Sequence, residues 1–232
     1  MSDSESTANS SASPTPLGRN ERRVLGVLVE KAKTTPDNYP MSLAAIVAGC
    51  NQKSNRSPVM QMDDDDVQMA LDKLRAMGAT MEIQGSSRVS KFRHLAYEFL
   101  GVDGAGSAVM TELMLRGPQT LGELRTRASR MNDFPDLDSV AACVAVLQTK
   151  KLVQAMTPPG RGQTFAHALY PPDEQRYLAA KVEKFQTDPM DEVEEAVVAT
   201  KSPAHDSRLA AVEERLEELR LRLEELESRL PS

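Results

Sequence analysis

The sequence predicts a mainly α-helical protein with small antiparallel β-hairpins, an α+β fold. Three observations support this prediction. Between residues 19 and 103, two apolar helices separated by a Pro-rich turn are followed by a third helix and by two short strands around a Gly-Ser turn. The same order recurs between residues 104 and 172, and a leucine heptad occupies residues 208–230. This pattern is typical of two winged-helix domains in tandem, followed by a coiled-coil helix.

The composition suits small helical domains. The 232 residues include no Trp, five Phe and four Tyr, so Leu, Val, Ala and twelve Met must fill the interior. Residues 1–18 are rich in Ser, Thr and Pro, which predicts a disordered tail and no secretory signal. No apolar run reaches the length of about 18 residues that a membrane span needs. We therefore predict a cytoplasmic protein whose two cysteines, Cys50 and Cys143, are free thiols.

The formal net charge of −6 is distributed unevenly along the chain. Residues 1–18 carry −2, residues 19–103 carry +1, residues 104–172 carry +2 and residues 173–232 carry −7. The two repeats are thus close to neutral, without the strongly basic balance of many nucleic-acid-binding domains. The acidity lies in the tail.

In the first repeat, residues 19–103, the helices are predicted from apolar spacing and capping residues. Ser42 is a good N-cap, because its side chain can accept a hydrogen bond from a free helical N–H group, and Gly78 is a typical stop signal. We place Arg22, Arg23 and Lys31 on the outer face of the first helix, away from its apolar stripe. The predicted elements are helices Arg19–Ala32 and Leu43–Ala48, a helix from within Asp63–Asp66 to Met77, and strands Met81–Gln84 and Arg88–His94.

In the second repeat, residues 104–172, the same spacing returns. Its third helix carries Val140, Val144 and Leu147 at the intervals that separate Val67, Leu71 and Leu74 in the first repeat. Two similar units favour a tandem duplication and are too few for a solenoid. The predicted elements are a first helix marked by Val109, Met110, Leu113 and Met114, a second helix over residues 121–131 capped by Thr120, the third helix, and strands Leu152–Met156 and Thr164–Tyr170.

The tail divides into two segments. Residues 173–207 are predicted as a charged helix followed by an acidic linker that contains Pro, and residues 208–230 as a coiled coil that forms a homodimer. Opposite charges at Arg208 and Glu213 favour a parallel pair. The alternative is a single helix that packs its leucines against the rest of its own chain. The a and d positions are Leu209, Val212, Leu216, Leu219, Leu223, Leu226 and Leu230.

Sequence motifs for catalysis are missing. There is no Gly-rich phosphate loop, no GxSxG and no HExxH. We therefore expect no enzymatic activity, no cofactor and no metal site. His94 and His167 fall at matching places in the two hairpins, which duplication explains more simply than metal binding. A nucleophile pair of Cys50 and His94 is the remaining catalytic alternative.

Long strings of the chain resemble the YceH-like family of uncharacterised bacterial proteins. They are VLGVLVEK at Val24–Lys31, TTPDNYP at Thr34–Pro40, CNQKSNRSPVM at Cys50–Met60 and RGPQTLGELRTRA at Arg116–Ala128. The heptad tail is similar too, so the resemblance covers nearly the whole chain past about Leu17. It implies two winged-helix domains in tandem and a capacity to oligomerise, and it implies no particular activity.

The chain departs from the family pattern in both hairpins. At the tip of the first hairpin, Ser86-Ser87 replaces a turn that contains Gly and an aromatic residue. The second hairpin is shorter, and Arg161 is its single cation where relatives are more basic. Both differences make it less favourable for the hairpins to hold phosphate.

Two functions remain, and each has a sequence feature in its favour. The first is a non-enzymatic DNA-associated regulator that binds duplex DNA through basic hairpins and loops; the alternative role of these cations is a solvated face, or turn hydrogen bonding in the loop Asn51–Arg56. The second is a protein–protein adaptor, favoured because Asp63–Asp66 begins the helix that would enter the major groove. The predicted phosphate contacts are Lys53, Arg56, Arg88, Lys91, Arg93, Arg125, Arg127 and Arg130.

Overall fold

Helices and short strands follow one another twice in the same order. The computed structural model describes residues 15–84 and 89–178. The first repeat consists of α1 (Arg19–Thr34), β1 (Met41–Ser42), α2 (Leu43–Cys50), α3 (Asp64–Ala76), β2 (Thr80–Ile83) and β3 (Lys91–His94). After α4 (Ala96–Leu100), the second consists of α5 (Gly104–Arg116), β4 (Gln119–Thr120), α6 (Leu121–Ala128), α7 (Leu137–Thr149), β5 (Val153–Ala155) and β6 (Thr164–His167). A 3-10 turn at Pro36–Asn38 precedes β1.

Each repeat contains one three-stranded antiparallel sheet, with order β1-β3-β2 in the first and β4-β6-β5 in the second. The predicted hairpins, and with them the α+β class, are confirmed. The two sheets have the same register, because Met41 pairs with Phe92 and Gln119 pairs with Phe165. Strands β1 and β4 were not predicted, since two residues are too short to produce an alternating pattern.

Capping residues fix where the helices begin and end. The Ser42 and Thr120 hydroxyls accept hydrogen bonds from the N–H groups of Ala45 and Glu123, at 3.4 and 3.3 Å, as predicted. Asp63 caps α3 in the same way at 2.8 Å. Beyond the ends of α3 and α7, residues 78 and 151 have positive φ angles of 75° and 57°. A glycine occupies the first of these positions, and a lysine the second.

One hydrophobic core contains residues of both repeats. Val67, Leu71 and Leu74 of α3 are buried in it, and so are Val140, Val144 and Leu147 of α7, which confirms the predicted inner faces of the two helices. Helices α1 and α5 pack against each other at the centre. They approach so closely at Gly26 that a β-carbon there would lie 2.8 Å from Cδ2 of Leu115. The two repeats therefore share their interior.

The prediction that Arg22 and Arg23 lie on an outer face is wrong, because both are buried. Arg22 donates to the carbonyl oxygen of Leu17 at 2.6 Å and forms an ion pair with Glu174, also at 2.6 Å. Glu174 belongs to a helical segment, residues 172–178, that lies against the start of α1. The spacing of apolar residues in α1 did not indicate that Arg22 is buried, because the segment that covers Arg22 lies about 150 positions later in the chain.

The coiled-coil prediction for residues 208–230 lies outside the described residues, as do residues 1–14 and 179–207. Among the helices that the structure describes, none combines the length and the apolar character of a membrane span.

Candidate macromolecular interfaces

Three of the predicted phosphate contacts are exposed and without an ion pair to any described residue. They are Lys53 in the loop after α2, and Lys91 and Arg93 on β3. Lys91 lines an open depression of about 470 Å³ that Lys31 and Gln52 also line. These side chains are free to contact an anionic partner, so their DNA contact stays a prediction. Arg88 lies outside the described residues.

Arg56 is not free for such a contact. Its side chain has no exposed surface, and it forms two hydrogen bonds to Glu30 of α1, at 2.5 and 3.1 Å. It also donates to the carbonyl oxygen of Gly49 at 3.1 Å and to Oε1 of Gln52 at 3.0 Å. Of these partners, only Gln52 lies within the loop Asn51–Arg56, so hydrogen bonding inside the loop, the alternative interpretation, accounts for part of the environment of Arg56.

Arg130 connects the two repeats. Its guanidinium lies 2.6 Å from Oε1 of Glu30 in α1 and 2.6 Å from Oε1 of Glu112 in α5. Arg116 adds a contact of 3.3 Å to Glu112 and a hydrogen bond to Asn55. We call these five charged residues the inter-repeat ion network: Glu30, Arg56, Glu112, Arg116 and Arg130.

The network keeps Glu30 ionised although it is buried. Burial alone would raise the pKa of Glu30, but the hydrogen bonds and charge of Arg56 and the charge of Arg130 outweigh it and lower that pKa. Burial likewise would lower the pKa of Arg130, and Glu112 and Glu30 raise it instead. Arg56 and Arg130 therefore stabilise the interior, and an external phosphate would have to compete with Glu30 and Glu112 for them.

The remaining two predicted contacts, Arg125 and Arg127, are engaged within the second repeat. Arg125 donates to the carbonyl oxygens of Phe134 and Pro135, at 3.4 and 2.6 Å, and so fixes the loop before α7. Arg127 lies 3.0 Å from Glu123 and donates to Gln119 at 2.8 Å. Both side chains retain some exposure, but two nitrogens of each guanidinium group already have partners.

The outward face of α7 is apolar. Leu137 and Val146 are exposed to 46% and 55%, and the exposed Ala142 and Ala145 lie between them along the helix. No lysine or arginine occurs within Leu137–Thr149. We call this surface the α7 face: Leu137, Ala141, Ala142, Ala145 and Val146.

The start of α3 is acidic. Asp63 and Asp66 form a reciprocal capping box, and Asp64 and Asp65 occupy the first turn. The carboxylates are therefore explained by the free N–H groups and the dipole of the helix. They would repel the phosphates of a DNA groove.

The two histidines belong to a repeated pattern, Phe-x-His-x-x-Tyr, at Phe92–Tyr97 and Phe165–Tyr170. His94 Nδ1 accepts a hydrogen bond from the N–H of Ala96 at 3.3 Å, and His167 Nδ1 accepts one from Leu169 at 3.2 Å. Burial lowers the pKa of His94 to about 4 and that of His167 to about 3. Both rings are thus neutral, and both hold the chain where it leaves the hairpin.

Cys50, the other half of the catalytic alternative, is fully buried. Burial raises the pKa of its thiol to about 12, so the thiolate that a nucleophile needs is disfavoured. Within the described part of the chain, no group of three or more His, Cys, Asp or Glu side chains could hold a metal ion.

Sequence reasoning missed the inter-repeat ion network. A signal was present, because Glu30 directly follows the apolar run Val27–Val29 on a helix whose other apolar positions are buried. A charged residue in such a position is rarely buried without a partner. The partners could not be named, because Arg56 and Arg130 occur in polar, turn-rich segments far along the chain.

This fold defines a class of α+β proteins in which one unit, made of helices and a hairpin, occurs twice around a shared core. Residues 17–161 match the family described as "Protein of unknown function, DUF480". The chain belongs to this family, whose members include the UPF0502 proteins below, and the resemblance to a family of uncharacterised bacterial proteins is confirmed.

Three relatives illustrate the extent of the similarity. The UPF0502 protein RB6530 of Rhodopirellula baltica is 56% identical over 216 residues, which are 92% of this chain and 91% of that protein. A UPF0502 protein of Dechloromonas aromatica is 49% identical over 131 residues, 56% of this chain and 61% of that protein. A UPF0502 protein of Pelobacter propionicus is 52% identical over 134 residues, 58% of this chain and 61% of that protein.

Proposed function

We propose that this chain is a non-enzymatic tandem winged-helix protein that acts by binding another protein. In each repeat a helix, a short strand, two helices and a β-hairpin follow in order, and the short strand adds to the hairpin. That order corresponds to a helix-turn-helix core with an attached hairpin, or wing. The last helix of the core is α3 in the first repeat and α7 in the second.

The α7 face is the observation that carries this proposal. Helix-turn-helix proteins that read DNA place Arg, Lys, Asn or Gln on the outward side of this helix. Here the exposed side of the helix combines Leu137, Ala142, Ala145 and Val146 with three polar residues, Asp138, Gln148 and Thr149, and it contains no lysine or arginine. Exposed apolar area of this kind is typical of the centre of a protein–protein interface, where charged residues are depleted.

The surroundings of the α7 face indicate what its partner looks like. Val146 and Cys143 line a groove of about 310 Å³ together with Val102 and Ala105 of the neighbouring segment. Two acidic residues, Asp133 and Asp136, precede the face, and two basic residues, Lys150 and Lys151, follow it. The complementary partner is a helix with an apolar stripe, basic residues at one end and acidic residues at the other.

Binding of duplex DNA is the second candidate function, supported by the free cations Lys53, Lys91 and Arg93. Three phosphate contacts give a salt dependence with a slope of about −3 in log K against log salt. Such binding would be weak and independent of base sequence, because these residues lie on a loop and a hairpin.

The heptad at residues 208–230 supports a parallel homodimer, which would double the number of α7 faces. Light scattering on the full chain and on a chain ending at residue 207 tests this part. We expect a dimer for the first and a monomer for the second at tens of micromolar. A monomeric full chain would contradict it.

A pull-down from nuclease-treated cytosol of a source organism tests the protein-binding proposal. The baits are the full-length chain, Val146→Glu and Val59→Glu. Val59 is a matched control, because it is also 55% exposed but lies in a loop remote in sequence from α7. We expect a partner that Val146→Glu loses and Val59→Glu retains, at unchanged stability of both variants.

The outcomes separate the two candidates. A partner set unchanged by Val146→Glu would contradict the assignment of the α7 face. A parallel pull-down without nuclease tests the DNA-associated function. Retention of DNA by the full-length chain that Lys91→Glu or Arg93→Glu loses would favour that function. A titration with duplex DNA at low salt that stays flat would remove that function.

A further inference from the structure

A cleft lined by four arginines lies between the start of α1 and the end of α5. It has a volume of about 320 Å³, within the range of small-ligand pockets. One carboxylate, that of Glu174, is among its lining residues, and Pro58, Met60, Leu113 and Met114 provide apolar walls. We call it the arginine cleft, after Arg19, Arg22, Arg23 and Arg116.

Carboxylates compensate only part of the positive charge in the arginine cleft. Arg22 forms an ion pair with Glu174, and Arg116 lies 3.3 Å from Glu112. Arg19 is exposed and forms no ion pair with any described residue. Arg23 has no carboxylate partner among these residues either, so two of the four cations lack a counter-charge.

Arg23 is the unusual member, because it is only 2% exposed. Its terminal nitrogens donate to the carbonyl oxygens of Cys50 and Pro58, at 2.8 and 2.7 Å, while its Nε is buried without a hydrogen-bond partner. Burial and the nearby charge of Arg56 lower its pKa to about 10. A buried cation held only by neutral carbonyls is costly for a fold, and an anion beside it would remove that cost.

The second repeat has no arginines at the positions that correspond to Arg22 and Arg23. In α1, Arg22 and Arg23 come before the buried Glu30. In α5, Gly104 and Ala105 come before the buried Glu112 at the same spacing in the sequence. The second repeat folds with the same elements and without cations at those positions. The charge of the arginine cleft is therefore an addition to the duplicated unit.

We propose that the arginine cleft binds a small ligand that carries a phosphate group. Guanidinium groups match the geometry of a phosphate with two parallel hydrogen bonds, which favours this anion. The Tyr170 ring has two neighbours already, since Arg22 lies over it at 4.8 Å from the ring centre and His167 stacks on it at 3.9 Å. The part of the ligand that we assign to the cleft is therefore its anionic group.

Glu174 is the internal competitor for this ligand. Its side chain is 42% exposed and bonds to Arg22, so it occupies one of the guanidinium groups that a phosphate would use. Removal of its charge should strengthen binding. If the arginines served only to stabilise the fold, removal of the Glu174 charge would not increase the affinity for a phosphate.

Calorimetric titration of the full chain at constant ionic strength tests the proposal. The probes are inorganic phosphate, pyrophosphate and ribose 5-phosphate, with chloride as the reference salt. We expect saturable binding of at least one probe, weakened about tenfold by Arg19→Gln, because one charge-assisted hydrogen bond is lost. Glu174→Gln should tighten it, and Arg93→Gln, an exposed cation outside the cleft, should leave it unchanged.

Two results would overturn the proposal. One is the absence of saturable binding for all three probes; the other is an equal loss in Arg19→Gln and Arg93→Gln, which would indicate a general charge effect. A duplex DNA without terminal phosphates forms a further arm. DNA binding that Arg19→Gln weakens, in the absence of binding of the small probes, would assign the cleft to nucleic acid and contradict the small-ligand proposal. Arg19 is exposed and makes no internal ion pair, so its replacement leaves the fold intact.

Discussion

Arg130 of the second repeat forms an ion pair of 2.6 Å with Glu30 of the first. Glu30 is only 1% exposed and also accepts two hydrogen bonds from Arg56, so one carboxylate holds two guanidinium groups. Glu30 therefore neutralises the charge of Arg56 in the loop after α2, and it also links the first repeat to the second through Arg130. Its replacement should therefore affect the whole described body.

Glu30→Gln is expected to lower the free energy of unfolding by about 3–5 kcal/mol, because it leaves the buried Arg56 without its charged partner. Urea denaturation at pH 7 measures the change. Glu98→Gln is the control, since Glu98 is exposed on α4, and it should shift stability by less than about 0.5 kcal/mol. Equal stability of the two variants would contradict the structural role assigned to Glu30.

Stability should fall as the pH decreases from about 6.5 to about 4, in part through His94. Its pKa in the folded state, about 4, is below the unfolded value of about 6.5, so the unfolded chain takes up the proton first as the pH falls. The contribution of the neutral ring is therefore complete above pH 6.5 and is lost on acidification.

His94→Asn tests this dependence, because Asn keeps a hydrogen-bond acceptor for the N–H of Ala96 but does not titrate. The variant should show a smaller slope of unfolding free energy against pH between 6.5 and 4.5. The slope is the readout, since loss of the ring lowers the stability at every pH. An identical slope in wild type and variant would contradict a neutral His94.

Lys151→Gly is expected to stabilise the protein by about 1 kcal/mol. Lys151 has a φ of 57°, a left-handed conformation that disfavours a β-carbon. The reciprocal change, Gly78→Lys, places a side chain at the matching turn of the first repeat, where φ is 75°. It should destabilise by a similar amount, and thermal unfolding of both variants gives the comparison. Shifts of the same sign would show that the two turns are not equivalent.

Gly26→Ala should destabilise the protein by about 1–2 kcal/mol. The new β-carbon would lie 2.8 Å from Cδ2 of the buried Leu115, and this overpacking outweighs the higher helix propensity of Ala. Gly122→Ala is the control, because Gly122 lies in α6 with no atom within 4 Å of the new carbon. That variant should be stabilised by about 0.5–1 kcal/mol. A stabilising Gly26→Ala would mean that α1 and α5 have room to separate.

The elements of the fold could be predicted where a local rule was sufficient. The spacing of Val67, Leu71 and Leu74 fixed the buried face of α3, and the hydroxyls of Ser42 and Thr120 cap the helices that they were expected to cap. Strands β1 and β4 could not be predicted, because a strand of two residues is defined by its pairing with a neighbouring strand and not by a pattern in its own sequence.

The roles of the arginines could not be predicted from the sequence. A free arginine and a buried arginine carry the same charge and can occupy the same kind of polar loop. Lys53 and Arg56 are three positions apart in one polar loop, yet the first is exposed and the second is enclosed. The difference comes from Glu30, which is distant in sequence. Only the fold brings the two charges together.

The tie between Glu30 and Arg130 also sets how this chain can be divided. A fragment that ends near residue 103 would contain Glu30 without its second arginine and would expose the apolar side of α1. The other fragment would keep the ion pair of Arg130 with Glu112 but lose that with Glu30, and it would expose the apolar side of α5. Neither half is expected to remain dispersed in solution when produced alone. Chimeras that exchange one half between homologues should keep their yield only when the glutamates and arginines of the tie come from the same parent.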